Sequence, residues 1–243
     1  MKRVVLNYSG NVGKTTVASN LLRPHMPGAT YIDVETQNDS AASLGVEGKK
    51  IRGSRFQDIY RQIVRAADVI IDVGSSNAVE FLDGMTRFDE SHVEIDQFLL
   101  PVTPEEKQQK DTITTIEVLA GLDVESDRIV VLFNRVKRDV GEEFPIVMNY
   151  AEEKRCIIHP DIAILDNEIF GIMVRRKTNL SAILGDATDY RAKIREVVND
   201  GGDEKLLSQY TDMHMARMLA KSVSRNFNKV YDLLEEAGRG IAQ

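Results

Sequence analysis

Near the start of the chain, the segment VVLNYSGNVGKTTVASNLL places two glycines, a lysine and two threonines between an apolar run and a helical pattern. That set of residue types can wrap a phosphate chain. Gly10 and Gly13 let the backbone curl and aim its N–H groups inward, and Asn11 and Val12 complete the turn. Gly13 carries no side chain to obstruct a phosphate. Lys14 can bring charge to β- and γ-phosphates, Thr15 can ligate magnesium through its hydroxyl, and Thr16 can donate to an α-phosphate. A helix opening at Lys14 adds the positive end of its dipole. A charge-assisted hydrogen bond contributes about 1.5–3 kcal/mol, and several would converge here. The common spacing GxxxxGK[ST] is not met, since its first glycine would fall at Tyr8; the glycines lie closer to the lysine. The implied ligand is a nucleoside triphosphate, ATP before GTP, with Mg2+.

A magnesium nucleotide needs acidic groups at neighbouring strand ends. The run TYIDVETQ ends with Asp33 and Glu35, which share a face if the strand continues that far. The run ADVIIDVGSS ends with Asp72 after an apolar stretch, the Walker B pattern; turn chemistry also places Asp at strand ends. Asp33 and Asp72 are therefore the candidate metal groups together with Thr15. Glu35 is a further candidate acid at this strand end, or a solvated loop acid. Asn134 ends the run RIVVLFNRV and can read an adenine edge, or cap a helix.

These residues need a scaffold that brings strand ends together. Short apolar, β-branched runs predict strands at Arg3–Leu6, Thr30–Asp33, Val69–Val73, Gln97–Val102, Arg128–Asn134 and Arg155–Ile158. Helical patterns predict Lys14–Leu22, Ser54–Ala66, Ser76–Phe88, Glu105–Ala120 and Glu142–Glu153. The alternation implies an α/β fold, a three-layer arrangement with a mostly parallel sheet and helices on both faces. Ligands of such sheets sit beyond the carboxyl ends of the strands, where each motif above falls. After Asn199-Asp200-Gly201-Gly202 a long helical pattern runs from about Glu204 to Glu236, so residues 1–199 are expected to form the nucleotide domain and 203–243 a helical extension packed on it. Leu219, Val223, Phe227, Val230 and Leu234 form its apolar stripe, and Arg217, Lys221, Arg225 and Lys229 step along another face.

Composition narrows the class. A chain of 243 residues can bury roughly 70–75% of its unfolded surface, enough for a core without staples. One cysteine, Cys156, excludes an internal disulfide framework and fits a reducing cytoplasm. No apolar run has the roughly 18 residues of a membrane span, and the first apolar run leads straight into the glycine turn rather than a cleavage site. The net charge of −7 argues against a basic nucleic-acid coat, although local basic stripes remain. With four histidines and that single cysteine, a His-based metal site is not expected.

Together these pieces resemble the ParA/MinD family of deviant Walker A ATPases, the SIMIBI class of P-loop proteins. The resemblance covers about residues 1–185. It rests on the glycine loop, the Asp33-Val34-Glu35-Thr36-Gln37 segment, Asp72, the Pro101-Val102-Thr103-Pro104 strand end and Asn134-Arg135, in that order. The loop wording is most similar to StbB-type plasmid stability proteins. The resemblance implies an ATPase of low turnover whose ATP-bound form is a homodimer sandwiching two nucleotides, and which associates with DNA or a small DNA-binding adaptor protein in plasmid partition. It gives Glu35 the task of assisting the attacking water. Two departures stand out. The family's signature lysine, five residues before the loop lysine, is Ser9 here, which implies slow hydrolysis or a substitute charge. The family's middle loop glycine is Asn11, a residue that tolerates a left-handed backbone.

The Arg217–Lys229 stripe admits two readings, contact with DNA phosphates or a solvated helix face. The tract Lys49-Lys50-Ile51-Arg52-Gly53-Ser54-Arg55 is a second basic patch. The terminal GRGIAQ lacks the basic amphipathic character of a membrane-binding helix. Two other functions fit the same scaffold: a small-molecule kinase or synthetase, which needs an acceptor pocket, and a module that holds ATP without turnover.

Overall fold

The computed structural model describes residues 1–35 and 48–239. Thr36 and Gln37 of the acidic segment lie outside them. Seven strands form one sheet: β1 (Lys2–Val5), β2 (Thr30–Val34), β3 (Lys49–Lys50), β4 (Val69–Val73), β5 (Gln97–Val102), β6 (Ile129–Val136) and β7 (Ala163–Leu165). Their order is β3-β2-β4-β1-β5-β6-β7 and every pairing is parallel. Each parallel neighbour needs a crossover, and helices supply these on both faces. On the first face lie α3 (Phe56–Arg65), α4 (Ser75–Arg87), α5 (Glu106–Ala120) and α7 (Pro145–Glu153). On the second lie the helix after the glycine turn, α8 (Ile169–Arg176), α9 (Leu180–Gly185) and α11 (Glu204–Arg239).

Strand alternation divides the core in two. Val4, Ile32, Val34, Ile71, Val73 and Phe98 enter the first core, while Val5, Tyr31, Ile70, Leu99 and Val130 enter the second. Helix α11 is integral to the second core, where Val223, Phe227, Val230 and Leu234 pack with β1 and β5 residues. Its stripe therefore covers the sheet, as its spacing predicts. Helix α10 (Tyr190–Asn199) packs against it.

Several boundaries differ from the sequence pattern. Residues 155–158 make no strand; only an isolated bridge joins Val130 to Ile157, and the last strand is β7. Strand β7 is short and its outer side is closed by a side chain: Asn226 of α11 accepts from Leu165 N at 3.2 Å and donates to Ala163 O at 2.9 Å. An amide thus stands in for a further strand and blunts the edge. The helix expected over Glu142–Glu153 is broken into α6 (Val140–Glu143) and α7, because Pro145 has no N–H to continue a helix and takes the first position of a new one. Strand β3 was not signalled by apolar residues; two exposed lysines form it by pairing with Ile32 and Asp33. The first helix runs over 14–25 as α1 (Lys14–Thr16), a π-helical stretch Val17–Leu22, and α2 (Arg23–His25).

Candidate functional site

The glycine turn joins β1 to α1 at the carboxyl edge of the sheet, next to the ends of β2 and β4. Asn11 has φ 60° and Gly13 φ 92°, both left-handed. The asparagine adopts the conformation its residue type tolerates, and the turn survives without a glycine there. Gly13 is needed twice over. Its φ excludes a side chain, and a Cβ would overlap Asn134 Nδ2. The Gly13→Ala variant is expected to lose nucleotide binding, and Gly13→Ala with Asn134→Ala is expected not to recover it, because the second change removes the overlap but not the backbone strain. Titration of a fluorescent ATP analogue into both variants checks this; recovery in the double variant would show that crowding alone is at stake.

Lys14 is buried, and its Nζ donates to Asn7 O at 3.2 Å and Ser9 O at 2.6 Å. The cation is folded onto the carbonyls of its own turn. Burial lowers its pKa to about 8, against the opposing pull of Asp72 and Glu35. Ser9 itself is buried, with its N–H donating to Asn7 Oδ1 at 2.8 Å. Its hydroxyl lies by Asp111 of α5, whose carboxyl is held low by Lys107 first and then helped by Ser9.

Asp33 and Asp72 face each other across the β2–β4 pairing, on the side of the sheet that carries α1. Each is only 2% exposed. Asp33 Oδ2 and Asp72 Oδ1 are buried oxygens without a hydrogen-bond partner. Burial raises the Asp72 carboxyl to about 7, aided by the Asp33 charge and opposed by the neighbouring Thr15 hydroxyl and the hydrogen bond from Tyr31. Asp33 is raised too, by burial first. Two adjacent acids with unsatisfied oxygens and the Thr15 hydroxyl beside them suit a hard divalent cation, which takes oxygen ligands. Among the described residues no group of three or more His, Cys, Asp or Glu side chains could hold a metal unaided. A cation here would draw its remaining ligands from phosphate and water.

Glu35 lies just past the end of β2 and turns toward the start of α4. Its Oε1 accepts from Ser76 Oγ at 2.8 Å and Asn77 Nδ2 at 3.2 Å. Gly74 makes room for it, since a Cβ there would overlap Glu35 Oε2. Asn134 comes from β6, yet its amide is bonded into the turn: Nδ2 donates to Val12 O at 2.7 Å and Oδ1 accepts from Arg135 N at 2.9 Å. At 5% exposure it braces the loop from behind, and reading a base edge would require releasing Val12.

An open cleft of about 340 Å3 collects Asn11, Gly13, Lys14, Thr15, Thr16, Glu35, Gly74, Ser75 and Arg135. Arg135, which the sequence marks only as part of the Asn134-Arg135 strand end, also lines this cleft. The β6–β7 register shifts between Asn134 and Val136, and Arg135 stands in the bulge with φ 59°. A bulge re-aims a side chain, here into the cleft. A left-handed backbone at a non-glycine residue costs of order 1–3 kcal/mol, which the surrounding structure must offset. A second cleft of about 490 Å3, lined by Pro104, Glu105, Arg135, Lys137, Glu143 and Asp166, adjoins it through Arg135.

The basic stripe on α11 is not uniform. Arg217 donates to Thr188 O at 2.6 Å and Lys229 pairs with Asp161 at 2.9 Å. Lys221 and Arg225 are exposed. No helix among the described residues is long and apolar enough to cross a membrane.

No family model and no curated protein matches this sequence. The fold does match solved structures. Apo McdA from Cyanothece superposes with TM-score 0.53 at 16% identity, covering 91% of this chain and 98% of McdA. MinD in the MinC:MinD cell division complex of Aquifex aeolicus gives 0.54 at 15%, over 76% of this chain and 88% of that one. MinD of Pyrococcus horikoshii, complexed with Mg-ADP, gives 0.50 at 14%, over 73% and 86%. The chain therefore has the parallel, P-loop NTPase fold of these proteins.

Proposed function

We propose that this protein is a ParA-like ATP-binding switch in plasmid stability or partition. It binds Mg-ATP in the cleft beside Lys14, hydrolyses it slowly, and uses its nucleotide state to control dimerisation and association with DNA or a DNA-bound adaptor. One observation carries the reading above all: a left-handed glycine turn sets a buried lysine beside two paired, buried acids that have unsatisfied oxygens. Lys14, Thr15, Thr16 and the loop amides would hold the phosphates. Asp33, Asp72 and Thr15 would hold Mg2+, which supplies charge neutralisation on the phosphate oxygens. Glu35, anchored by Ser76 and Asn77, would orient water. The likeness in fold to McdA and MinD supports the same reading, as one of those structures contains Mg-ADP. A cytoplasmic setting accompanies it.

The deciding experiment measures solution mass and phosphate release with Mg-ATP, Mg-ADP and no nucleotide. Dimer mass in ATP alone, with phosphate release above a Lys14→Ala blank, is the expected result. An unchanged mass together with a phosphorylated metabolite from a mixed pool would replace the switch by a small-molecule kinase.

DNA association would fall to Lys221 and Arg225, because Arg217 and Lys229 already have protein partners. The Lys221→Ala, Arg225→Ala double variant is expected to reduce the slope of log affinity against log salt by about 2 on random-sequence duplex. Changing Arg217 or Lys229 instead should move it less. A slope unchanged from the wild type in every variant would return the stripe to a solvated face.

A further inference from the structure

Tyr31 is a buried aromatic near the start of β2, 4% exposed, and no motif calls for it. Alternation along the strand sends Ile32 and Val34 into the first core, but Tyr31 and Asp33 onto the face that carries α1. In the β2–β4 register Tyr31 stands opposite Ile70 and Asp33 opposite Asp72. The phenol therefore reaches diagonally along that face, and its hydroxyl donates to Asp72 Oδ2 at 3.1 Å. Its ring is held from the other side by the chain at Gly48, where a Cβ would lie 2.6 Å from Tyr31 Cδ1. Both the ring and its donor are fixed.

The consequence lies in the asymmetry of the Asp72 carboxylate. Oδ2 has the phenol; Oδ1 is buried without a hydrogen bond. Asp33 sits alongside with an unsatisfied Oδ2 of its own. Repulsion between the two paired carboxylates favours rotation of one away from the other, toward Lys14 or Thr15. A phenol bonded to one oxygen opposes that rotation. Phenylalanine would fill the same volume, so the core has no need of the hydroxyl.

We propose that Tyr31 is a positioning residue: its hydroxyl fixes the rotation of Asp72 so that Oδ1 is the oxygen offered to the divalent cation of a bound nucleotide. This rests on the Mg-ATP reading above. Groups that orient a ligating side chain change metal affinity by about 10–100-fold when removed.

The test is Tyr31→Phe, with Tyr190→Phe as control. Tyr190 also donates its hydroxyl to a carboxylate, Asp186, but in α10, away from the cleft. A fluorescent ATP analogue is titrated into each full-length protein in EDTA and at rising magnesium, after thermal melts confirm folding. The magnesium midpoint of Tyr31→Phe should rise about 10-fold while its affinity in EDTA stays at the wild-type value. Tyr190→Phe should match the wild type in both. An unmoved midpoint in Tyr31→Phe overturns the proposal, and so does equal weakening with and without magnesium, or an equal shift in Tyr190→Phe. A wild-type protein that binds no analogue under either condition fails differently: it removes the nucleotide reading itself.

Discussion

Replacing Lys14 with alanine is expected to weaken ATP binding by about 100-fold or more, since two charge-assisted hydrogen bonds at about 1.5–3 kcal/mol each are lost. In the present structure Lys14 Nζ is bonded to Asn7 O and Ser9 O, acceptors that phosphate oxygens would replace. The same group gives the binding a pH signature. Burial lowers Lys14 to about 8, so above that pH the free protein holds it neutral, while a bound phosphate favours the charged form. Binding then takes up a proton and weakens as pH rises through about 8. The folded chain alone behaves in the opposite sense. A lowered lysine pKa means fewer bound protons than in the unfolded chain, so this group's contribution to stability improves above about 8.

Asp72 sets the acid limb. Burial raises it to about 7, so below that pH the carboxyl is increasingly protonated and offers no charge to a cation. Mg-ATP binding should therefore be bell-shaped, with its maximum between about 7 and about 8. In EDTA the acid limb should vanish and the alkaline limb remain. Fluorescence titrations from pH 6 to 9.5, with calorimetry in buffers of different ionisation heat, read both limbs. Wild-type affinity in Lys14→Ala, or a flat profile in the presence of magnesium, would remove Lys14 from the phosphate site.

What the sequence revealed about this site follows the range of the interactions. Strands β4 and β5 match the apolar runs Val69–Val73 and Gln97–Val102, because strands buried on both faces must be apolar throughout. The glycine turn is legible for a similar reason: its conformation is dictated by residues within it. Asn134 is not legible in this way. Its partner Val12 is 122 residues distant, and only the β1–β5–β6 order makes an amide at the end of β6 reach the turn. Arg135 enters the cleft through a bulge set by pairing with β7, itself a three-residue edge strand defined by Asn226 of α11. The division of the basic stripe has the same origin. Spacing places four cations on one helix face; whether Thr188 or Asp161 lies within reach depends on how α11 docks.

The docking of α11 has its own test, and it concerns a residue that the motif reading passed over. Arg3 lies in β1 on the second face of the sheet and is 0% exposed. Its Nη2 donates to Glu235 Oε1 at 2.7 Å, its Nε donates to Gln97 Oε1 at 2.7 Å, and its guanidinium lies 5.1 Å from the Tyr231 ring centre. Gln97 Nε2 in turn donates to Leu234 O at 2.9 Å. These bonds latch the end of α11 to the amino-terminal end of β1 and β5. Removing one partner of a buried pair leaves the other charge uncompensated, at about 3–5 kcal/mol when both are fully buried. Glu235 is 30% exposed on its side chain, so Glu235→Ala is expected to lose about 2–3 kcal/mol in urea unfolding at pH 7. Replacing both partners by apolar residues, Arg3→Met with Glu235→Leu, should cost less than the single change. Burial alone would push the Glu235 carboxyl up, but Arg3 outweighs it and the group lies below its usual range. A depressed acid contributes stability above its unfolded pKa and loses it as pH falls through the folded value, so the wild type's advantage over Glu235→Ala should fade in the acid range below the ordinary glutamate pKa. The latch sits at the opposite end of β1 from the glycine turn, so ATP affinity of the folded variant should remain that of the wild type. Equal stability of Glu235→Ala and wild type at pH 7 would mean that α11 is held by its apolar stripe alone.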